Sequence, residues 1–258
     1  MLFTVVLSLL SVALAAPLQR PHPECPLAFV LIGDSTTYSA NGWSRGFCAS
    51  LSNVDAEYCQ DEGVSGATTG TTFESGQFDV DLDVIRSFVA DGKRTFVTVQ
   101  FGHNDQKIAT PESMGANLTI MVDAIREAGG EPILVTSLTR RNFNSDGTIN
   151  DILGPWADET KLIAELEHTK MIDLHATSIE YCEARMNELL SPAIGPEAAH
   201  RLNGPATTDN THLNENGIVV FGRMVARLVR SVVPELVLVE NDTLDYDLEN
   251  GLPAYRRM

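Results

Sequence analysis

The sequence is poor in basic residues and, after its first sixteen residues, it has no long apolar run. Lys and Arg together number 18 against 35 Asp and Glu, for a formal net charge of -17. Nucleic acid and anionic membrane surfaces would be repelled by this charge, so neither is expected as a partner. Because no later segment reaches the ~18 to 20 apolar residues of a membrane helix, we expect the mature protein to be soluble. We also expect it to be a monomer.

Cysteine is also scarce, and the cysteines lack the C-x-x-C spacing typical of zinc sites. An even number of cysteines in an oxidising compartment favours disulfides, so two are expected, with three possible connectivities. Pairing of Cys48 with Cys59 is favoured because a disulfide can join a helix to the strand that follows it. Buried free thiols are the alternative. The cysteines are Cys25, Cys48, Cys59 and Cys182.

One apolar block is present, at residues 1–16, and it ends in an A-L-A pattern. The block is too short to span a bilayer comfortably and is typical of a secretory signal peptide, although it contains no Lys or Arg. We expect cleavage after Ala15 or Ala16 and export of the mature chain; a buried N-terminal helix is the alternative. Residues 17–258 would then form a single domain, in which the acidic extension at residues 236–258 has no predicted structure.

Two glycosylation sequons are compatible with an exported chain. Asn117 and Asn241 each begin an N-x-T triplet. Such triplets accept glycans where they lie in exposed loops of secreted proteins. Both asparagines are therefore candidate glycosylation sites.

Beyond residue 26, β-type and helical patterns alternate along the chain. Runs rich in apolar and β-branched residues predict five strands, at residues 27–32, 56–60, 95–101, 132–138 and 171–174. Other segments have helical periodicity, at residues 43–51, 79–90, 112–128, 156–167, 178–190 and 214–232. This alternation predicts an α/β fold of three αβα layers around a mostly parallel five-stranded sheet.

Polar residues follow the predicted strands at the points where the strands end. Ser35 follows the first strand, Gly66 lies in a glycine-rich loop after the second, and Asn104 follows the third. In a parallel sheet these ends share one edge, where active sites form. Arg140 and Arg141 follow the fourth strand. Because adjacent residues of an extended segment point in opposite directions, at most one arginine can face this edge and bind a substrate carboxylate.

A candidate base and acid occur near the end of the chain. Asp209 and His212, three residues apart in a turn, can place a carboxylate against one imidazole nitrogen while the other faces Ser35. Acyl transfer by a serine needs such a pair, together with donors for the oxyanion. The alternative is that Asp34, Ser35 and Thr36 only turn the chain and cap a helix, and that the acid and histidine make surface contacts.

Four motifs occur in the same order as the sequence blocks of a known family. They are the G-D-S run ending at Ser35, the loop with Gly66, the G-H-N-D run with Asn104, and the D-N-T-H run ending at His212. Together they resemble the blocks of SGNH/GDSL hydrolases, and the N-G-W and F-G-H-N-D runs are most similar to fungal rhamnogalacturonan acetylesterases. The resemblance covers residues 29–232 and implies a flavodoxin-like SGNH hydrolase fold.

The resemblance also implies a role for each site residue. Ser35 would be the nucleophile, His212 the base and Asp209 its orienting acid. The oxyanion hole would consist of the Ser35 N–H, the Gly66 N–H and the Asn104 side-chain amide, with no metal or organic cofactor. The implied activity is removal of acetyl groups, through an acyl-enzyme intermediate, from a plant cell-wall polysaccharide. Pectic rhamnogalacturonan is the expected substrate, and acetylxylan or small esters are the alternatives.

Three other functions remain open. Ser44 lies in a G-x-S-x-G run, the nucleophile elbow of α/β-hydrolases, but it follows a polar loop instead of a strand. A metal-dependent phosphoesterase could use Asp34, Asn104, Asp209 and His212 as ligands. A carbohydrate-binding protein without activity could share the fold. Resistance to chelators and labelling by a serine-directed reagent would separate these functions from a serine esterase.

Overall fold

The structure is a computed structural model that describes residues 25–184, 209–252 and 254. The predicted signal peptide at residues 1–16 lies outside the described residues, as does the end of the helix predicted at residues 178–190. The predicted strands and candidate catalytic residues all lie within them.

A five-stranded sheet with the order β2-β1-β3-β4-β5 forms the middle layer. Each pair of neighbouring strands in it is parallel. The predicted three-layer α/β fold is therefore confirmed, and the strand order is that of flavodoxin-like sheets. Such sheets bind ligands where the strand order reverses, which here is at the carboxyl ends of β1 and β3. The strands are β1 (Leu27–Gly33), β2 (Cys59–Gly63), β3 (Arg94–Gln100), β4 (Glu131–Val135) and β5 (Lys170–Ile172).

Helices cover both faces of the sheet, and the longer ones lie where the periodicity predicted them. They are α1 (Ser44–Ala49), α2 (Thr69–Glu74), α3 (Gln77–Ala90), α4 (Asp105–Ile108), α5 (Pro111–Glu127), α6 (Gly154–Leu166), α7 (Leu174–Glu183), α8 (Glu215–Val232) and α9 (Asp242–Glu249). None of these described helices has the length and apolar character needed to cross a membrane.

The second strand and two short helices differ from the prediction. Ala56–Tyr58 is a 3-10 turn, and β2 begins only at Cys59 and continues into the segment predicted to be a loop. β2 is an edge strand of mostly polar residues, so it carries no apolar pattern. Helices α2 and α4 are too short to show periodicity, although α2 begins with a capping box formed by Thr68 and Thr71.

Alternate residues of β1 enter different hydrophobic layers. Phe29 and Leu31 belong to the cluster that contains residues of α1 and α8, whereas Val30 and Ile32 belong to the cluster that contains residues of α3 and α5. All four are almost completely buried, and burial of each contributes roughly 1.5 to 3 kcal/mol. Because both faces of the sheet are covered, β1 reads as a continuous apolar run up to Gly33.

Helices α1 and α8 cross at two glycines. A Cβ atom at Gly46 would lie 2.0 Å from the carbonyl oxygen of Ile218, and one at Gly222 would lie 2.3 Å from the carbonyl carbon of Gly46. The close approach is possible only because neither residue has a side chain. It brings the start of α8, and the loop before it that carries His212, next to the segment that follows Ser35, where the N–H of Leu213 donates to the carbonyl of Asn41 at 2.8 Å.

Only one of the two expected disulfides is present among the described residues. Cys48 and Cys59 are bonded, with Cα atoms 5.8 Å apart. The expectation of a second disulfide was wrong, because Cys25 and Cys182 are free thiols. Cys25 is exposed before the amino end of β1, whereas Cys182 is buried beside Arg141, beyond the carboxyl end of β4, so the sheet separates them. Burial raises the pKa of the Cys182 thiol to about 12, which makes it unreactive.

The acidic extension packs against the rest of the domain. Leu236, Leu238 and Leu244 are buried in the cluster that includes residues of α1 and α8. The buried Arg223 of α8 donates two hydrogen bonds to Asp245, of 2.8 and 2.5 Å. The described part of the extension is therefore a structured element that covers α8, a result that its acidic composition did not predict.

Candidate active site

Three side chains from two distant segments form a hydrogen-bonded row at the carboxyl edge of the sheet. The hydroxyl of Ser35, just after β1, lies 2.9 Å from Nε2 of His212, and Nδ1 of His212 lies 2.8 Å from Oδ2 of Asp209. The serine and histidine are 177 residues apart in sequence. This geometry suits a nucleophile, its general base and the acid that orients the base.

Backbone donors hold Asp209 in place and in its charged form. Its Oδ1 accepts the N–H of Thr211 at 3.1 Å and the N–H of His212 at 3.0 Å. Burial raises the pKa of Asp209, but these hydrogen bonds and the His212 ring outweigh burial and leave the pKa below its ordinary value. Asp209 is therefore a carboxylate that can balance positive charge on the imidazole.

The two oxyanion donors predicted in addition to Ser35 lie next to each other. Nδ2 of Asn104 donates to the carbonyl of Ala67, the residue after Gly66, at 2.9 Å, and the amide carries a second N–H that can bind an oxyanion. The ammonium of Lys107 donates to Oδ1 of Asn104 at 2.8 Å, which fixes the orientation of the amide. Gly66 has φ of 81°, a conformation that favours glycine. This placement is compatible with an oxyanion hole, and the donor roles stay predictions.

Asp105 joins the two loops that carry these donors, and the sequence alone did not assign it this role. Its Oδ1 accepts the N–H and the hydroxyl of Thr69, at 3.0 and 2.7 Å, and its Oδ2 accepts the N–H of Gly102 at 3.3 Å. Thr69 lies just after Gly66, and Gly102 lies just before Asn104. One buried carboxylate therefore sets the distance between the loops. The sequence feature that could have indicated this role is the position of Asp105 at the end of the G-H-N-D run.

A second network that the sequence did not predict lies beneath the nucleophile. Gln100, the buried last residue of β3, accepts the indole N–H of Trp43 at 2.8 Å and donates to the hydroxyl of Thr36. The backbone N–H and the hydroxyl of Thr36 both donate to Oδ1 of Asp34, at 2.8 and 2.7 Å. The sequence could have indicated this network, because a glutamine at the end of a buried apolar strand needs hydrogen-bond partners.

Arg140 and Arg141 occupy different environments, as expected for adjacent extended residues. Arg141 is wholly buried, and its Nη2 donates to the carbonyl of His212 at 2.6 Å. The prediction of a substrate-binding role was therefore wrong for Arg141. Its side chain instead supports the loop that carries His212. Burial lowers the pKa of Arg141 to about 10, so it stays charged at neutral pH. Arg140 is half-buried, donates to the carbonyl of His103 at 2.9 Å, and remains the candidate substrate-binding arginine.

Comparison with known proteins gives the family of the chain. Residues 31–218 match the model of the GDSL-like Lipase/Acylhydrolase family. The chain is also 32% identical over 240 residues to rhamnogalacturonan acetylesterase RhgT of Bacillus subtilis (strain 168), a match that covers 85% of this chain and 94% of that protein. The chain belongs to the GDSL-like lipase/acylhydrolase family. It is a carboxylic ester hydrolase, an acetylesterase of the SGNH/GDSL type.

Solved structures share the fold of this GDSL-like hydrolase. Protein YXIM from Bacillus subtilis matches with a TM-score of 0.65 at 19% identity over 83% of this chain, which spans 58% of the YXIM chain. Axe2, an acetylxylan esterase from Geobacillus stearothermophilus, matches with a TM-score of 0.51 at 18% identity, over 81% of this chain and 94% of the Axe2 chain. At these identities the matches confirm the fold alone.

The family and the geometry decide between the alternative functions. Ser44 of the G-x-S-x-G run is wholly buried in the GDSL-like hydrolase, so it cannot be the nucleophile. Among the described residues, no group of three or more His, Cys, Asp or Glu side chains is arranged to hold a metal ion. Because the chain is an ester hydrolase, it is not a binding protein without activity.

The two sequons of the GDSL-like hydrolase differ in accessibility. Asn117 lies within α5, and its Nδ2, the atom that would carry a glycan, donates to Oγ1 of Thr69 at 3.0 Å. Asn117 therefore lies in the helix predicted at residues 112–128 and not in an exposed loop, and its glycosylation stays a prediction. Asn241 is exposed at the start of α9, where its Oδ1 accepts the N–H of Leu244, and it stays a candidate glycosylation site.

Proposed function

We propose that the protein is a secreted serine esterase that removes acetyl groups from a plant cell-wall polysaccharide, pectic rhamnogalacturonan. The observation that carries the proposal is the hydrogen-bonded row of Ser35, His212 and Asp209. It supports nucleophilic acyl transfer, because His212 can take the proton of the Ser35 hydroxyl and Asp209 can orient His212 and balance its positive charge.

In the first half of the proposed reaction, Oγ of Ser35 attacks the acetyl carbonyl while Nε2 of His212 takes the hydroxyl proton. The oxyanion that forms is stabilised by the N–H groups of Ser35 and Gly66 and by the amide of Asn104. The C–O bond to the sugar then breaks, and the imidazolium gives its proton to the departing sugar hydroxyl. Acetyl-Ser35 remains.

In the second half, water replaces the sugar. His212 takes a proton from the water as its oxygen attacks the acetyl carbonyl, and the same donors bind the second oxyanion. The bond to Ser35 breaks and its oxygen recovers the proton. Acetate leaves, and the carboxylate of Asp209 balances the imidazolium in both halves.

Two observations support a pectic substrate. A relative with 32% identity over 85% of the chain is named a rhamnogalacturonan acetylesterase. Arg140 is half-buried near the site in a chain with a net charge of -17, and a guanidinium binds carboxylates such as those of uronic acids in bidentate geometry. A local cation would also offset the repulsion of an acidic polysaccharide by the chain.

The substrate proposal is tested by acetate release from acetylated rhamnogalacturonan, xylan and mannan. We expect the highest kcat/KM on rhamnogalacturonan, and no release by the Ser35→Ala control. Arg140→Ala should raise KM on acidic fragments about fivefold and leave hydrolysis of 4-nitrophenyl acetate unchanged at pH 8, well above the pKa of about 6 of the nearby Asp34. Arg86→Ala, at an exposed arginine of α3, is its matched control. A wild-type preference for neutral xylan would contradict the pectic substrate and leave the esterase activity.

Secretion is a separate part of the proposal and rests on the apolar block at residues 1–16. Expression of the full chain in a eukaryotic host should release the protein into the medium with Ala16 or Pro17 as its first residue. N-terminal sequencing checks this result. Retention of the intact protein inside the cells would contradict secretion without affecting the esterase proposal.

A further inference from the structure

Asp34 is a buried carboxylate that the proposed acyl-transfer steps do not use. It directly precedes Ser35 and has no exposed surface. Its Oδ1 accepts two hydrogen bonds from Thr36, whereas its Oδ2 faces Nδ1 of His103 at 3.7 Å, beyond hydrogen-bonding distance. A buried charge with so few donors is costly, so its presence beside the nucleophile needs a physical reason.

The hydrogen bonds that lead to Asp34 all run in one direction. The indole of Trp43 can only donate, so the atom of Gln100 that it contacts must be the amide oxygen. The amide nitrogen of Gln100 then donates to the hydroxyl of Thr36, which in turn donates to Asp34. A chain of this polarity ends at an acceptor and strengthens along its length, so it stabilises a carboxylate at its end.

We propose that Asp34 is a positioning residue whose negative charge stabilises the imidazolium of His212 during turnover, and that the chain from Trp43 through Gln100 and Thr36 keeps Asp34 ionised. The inference rests on the proposed function, since it takes His212 as the base. Asp34 does not touch the reacting atoms; it acts through the electric field at the histidine.

The charged groups around Asp34 help to determine the pH range in which it is ionised and can stabilise the imidazolium of His212. Asp105 opposes its ionisation, whereas His212 and Arg140 favour it. Burial, together with Arg140 and other cationic groups nearby, holds the pKa of His103 well below its ordinary value, so this ring is neutral. Burial raises the pKa of Asp34 from 3.8 to about 6, against the hydrogen bonds from Thr36. As the pH falls below about 6, Asp34 is protonated, its field at the histidine is lost and the rate falls.

The first test changes the far end of the chain, which does not contact Asp34. Trp43→Phe removes the first donor, so ionisation of Asp34 becomes harder and the acid limb of kcat/KM moves to higher pH, by about 0.3 to 1 pH unit. Trp156→Phe is the matched control, because its indole N–H has no hydrogen-bond partner among the described residues. This control should leave the acid limb unchanged.

The second test is a double-mutant cycle with Asp34→Asn, which is nearly isosteric and keeps an oxygen for Thr36. The single variant should lower kcat about tenfold at the optimum. Trp43→Phe should cause no further shift of the acid limb in this background, because no carboxylate remains for the chain to act on. In an Asp81→Asn background, which alters a different buried carboxylate, the shift should persist.

All rates are measured on 4-nitrophenyl acetate, so the outcome does not depend on the polysaccharide, and melting temperatures show that each variant is folded. The inference is overturned if the two tryptophan variants shift the acid limb equally, if Trp43→Phe causes no shift, or if its shift persists with Asp34→Asn. Activity retained by Ser35→Ala would instead refute the proposed function.

Discussion

Ser35 and His212 are useful only as a pair, because a serine hydroxyl is a weak nucleophile until a base takes its proton. We expect Ser35→Ala and His212→Ala each to lower kcat on the order of 10⁴-fold or more, and the double variant to lose little beyond either single change. Steady-state rates on 4-nitrophenyl acetate check this. Ser52→Ala, at an exposed serine, is the control that should keep full activity. Substantial activity in Ser35→Ala would mean that another residue is the nucleophile.

Asn104 combines two tasks, since its amide is hydrogen-bonded to the Gly66 loop and also has an N–H for the oxyanion. We expect Asn104→Ala to lower kcat on the order of 10² to 10³-fold with little change in KM, because the oxyanion exists only in the transition state. Kinetics and thermal melting on the same preparation separate the two tasks. A variant with a lower melting temperature and a normal kcat would show that the residue only holds the loop.

At the scale of elements, the crossing of α1 and α8 connects packing to the site, because α8 follows the loop that carries His212. Gly222→Ala places a methyl group against the backbone of Gly46. We expect it to reduce the free energy of unfolding by about 3 kcal/mol and to lower kcat as the helices separate. Urea denaturation and kinetics measure the two effects.

Gly70→Ala is the matched control for this crossing. Gly70 lies within α2, where the nearest atom to an added Cβ is 3.8 Å away. Alanine should therefore be tolerated there and should stabilise the helix slightly, by up to about 1 kcal/mol. If both glycine variants lost the same stability, the helix crossing would not be the cause.

At the scale of the whole molecule, a buried carboxylate outside the site makes stability depend on pH. Asp81 of α3 has no exposed surface, and burial raises its pKa to about 7, with the nearby Glu62 adding to the effect against a hydrogen bond from Gln77. The folded state therefore binds this proton more tightly than the unfolded state. The contribution of Asp81 to stability accordingly falls as the pH rises from about 4 to about 7.

Asp81→Asn removes the loss of stability that ionisation of the buried Asp81 carboxyl causes. We expect the variant to be more stable than wild type by about 2 to 4 kcal/mol at pH 8, and the difference to shrink toward pH 4, where the wild-type carboxyl is neutral in the folded state and about half protonated in the unfolded state. Urea denaturation at pH 4, 6 and 8 measures it. Asp83→Asn, at an exposed position of the same helix, should show no such dependence. A constant gain at every pH would assign the effect to helix propensity instead of charge.

The sequence by itself determined the features that repeat over short distances. Burial on both faces makes β1 a continuous apolar run, and helical periodicity placed α3, α5 and α8 within a few residues. The ends of these elements, and the four motifs in order, then predicted Ser35 and His212 as partners. Helices α2 and α4 and the start of β2 could not be predicted, because short or polar elements leave no periodic signal.

Only the tertiary structure decided which residues from distant segments meet. It buried Arg141 beneath the His212 loop, left Cys182 without the partner expected for it, and placed Asp105 between two loops. Each outcome depends on the packing of helices against the sheet, and a side chain's partner across that packing is set by three-dimensional distance. Local patterns in the chain record which face of an element is buried, but they do not record what lies against it.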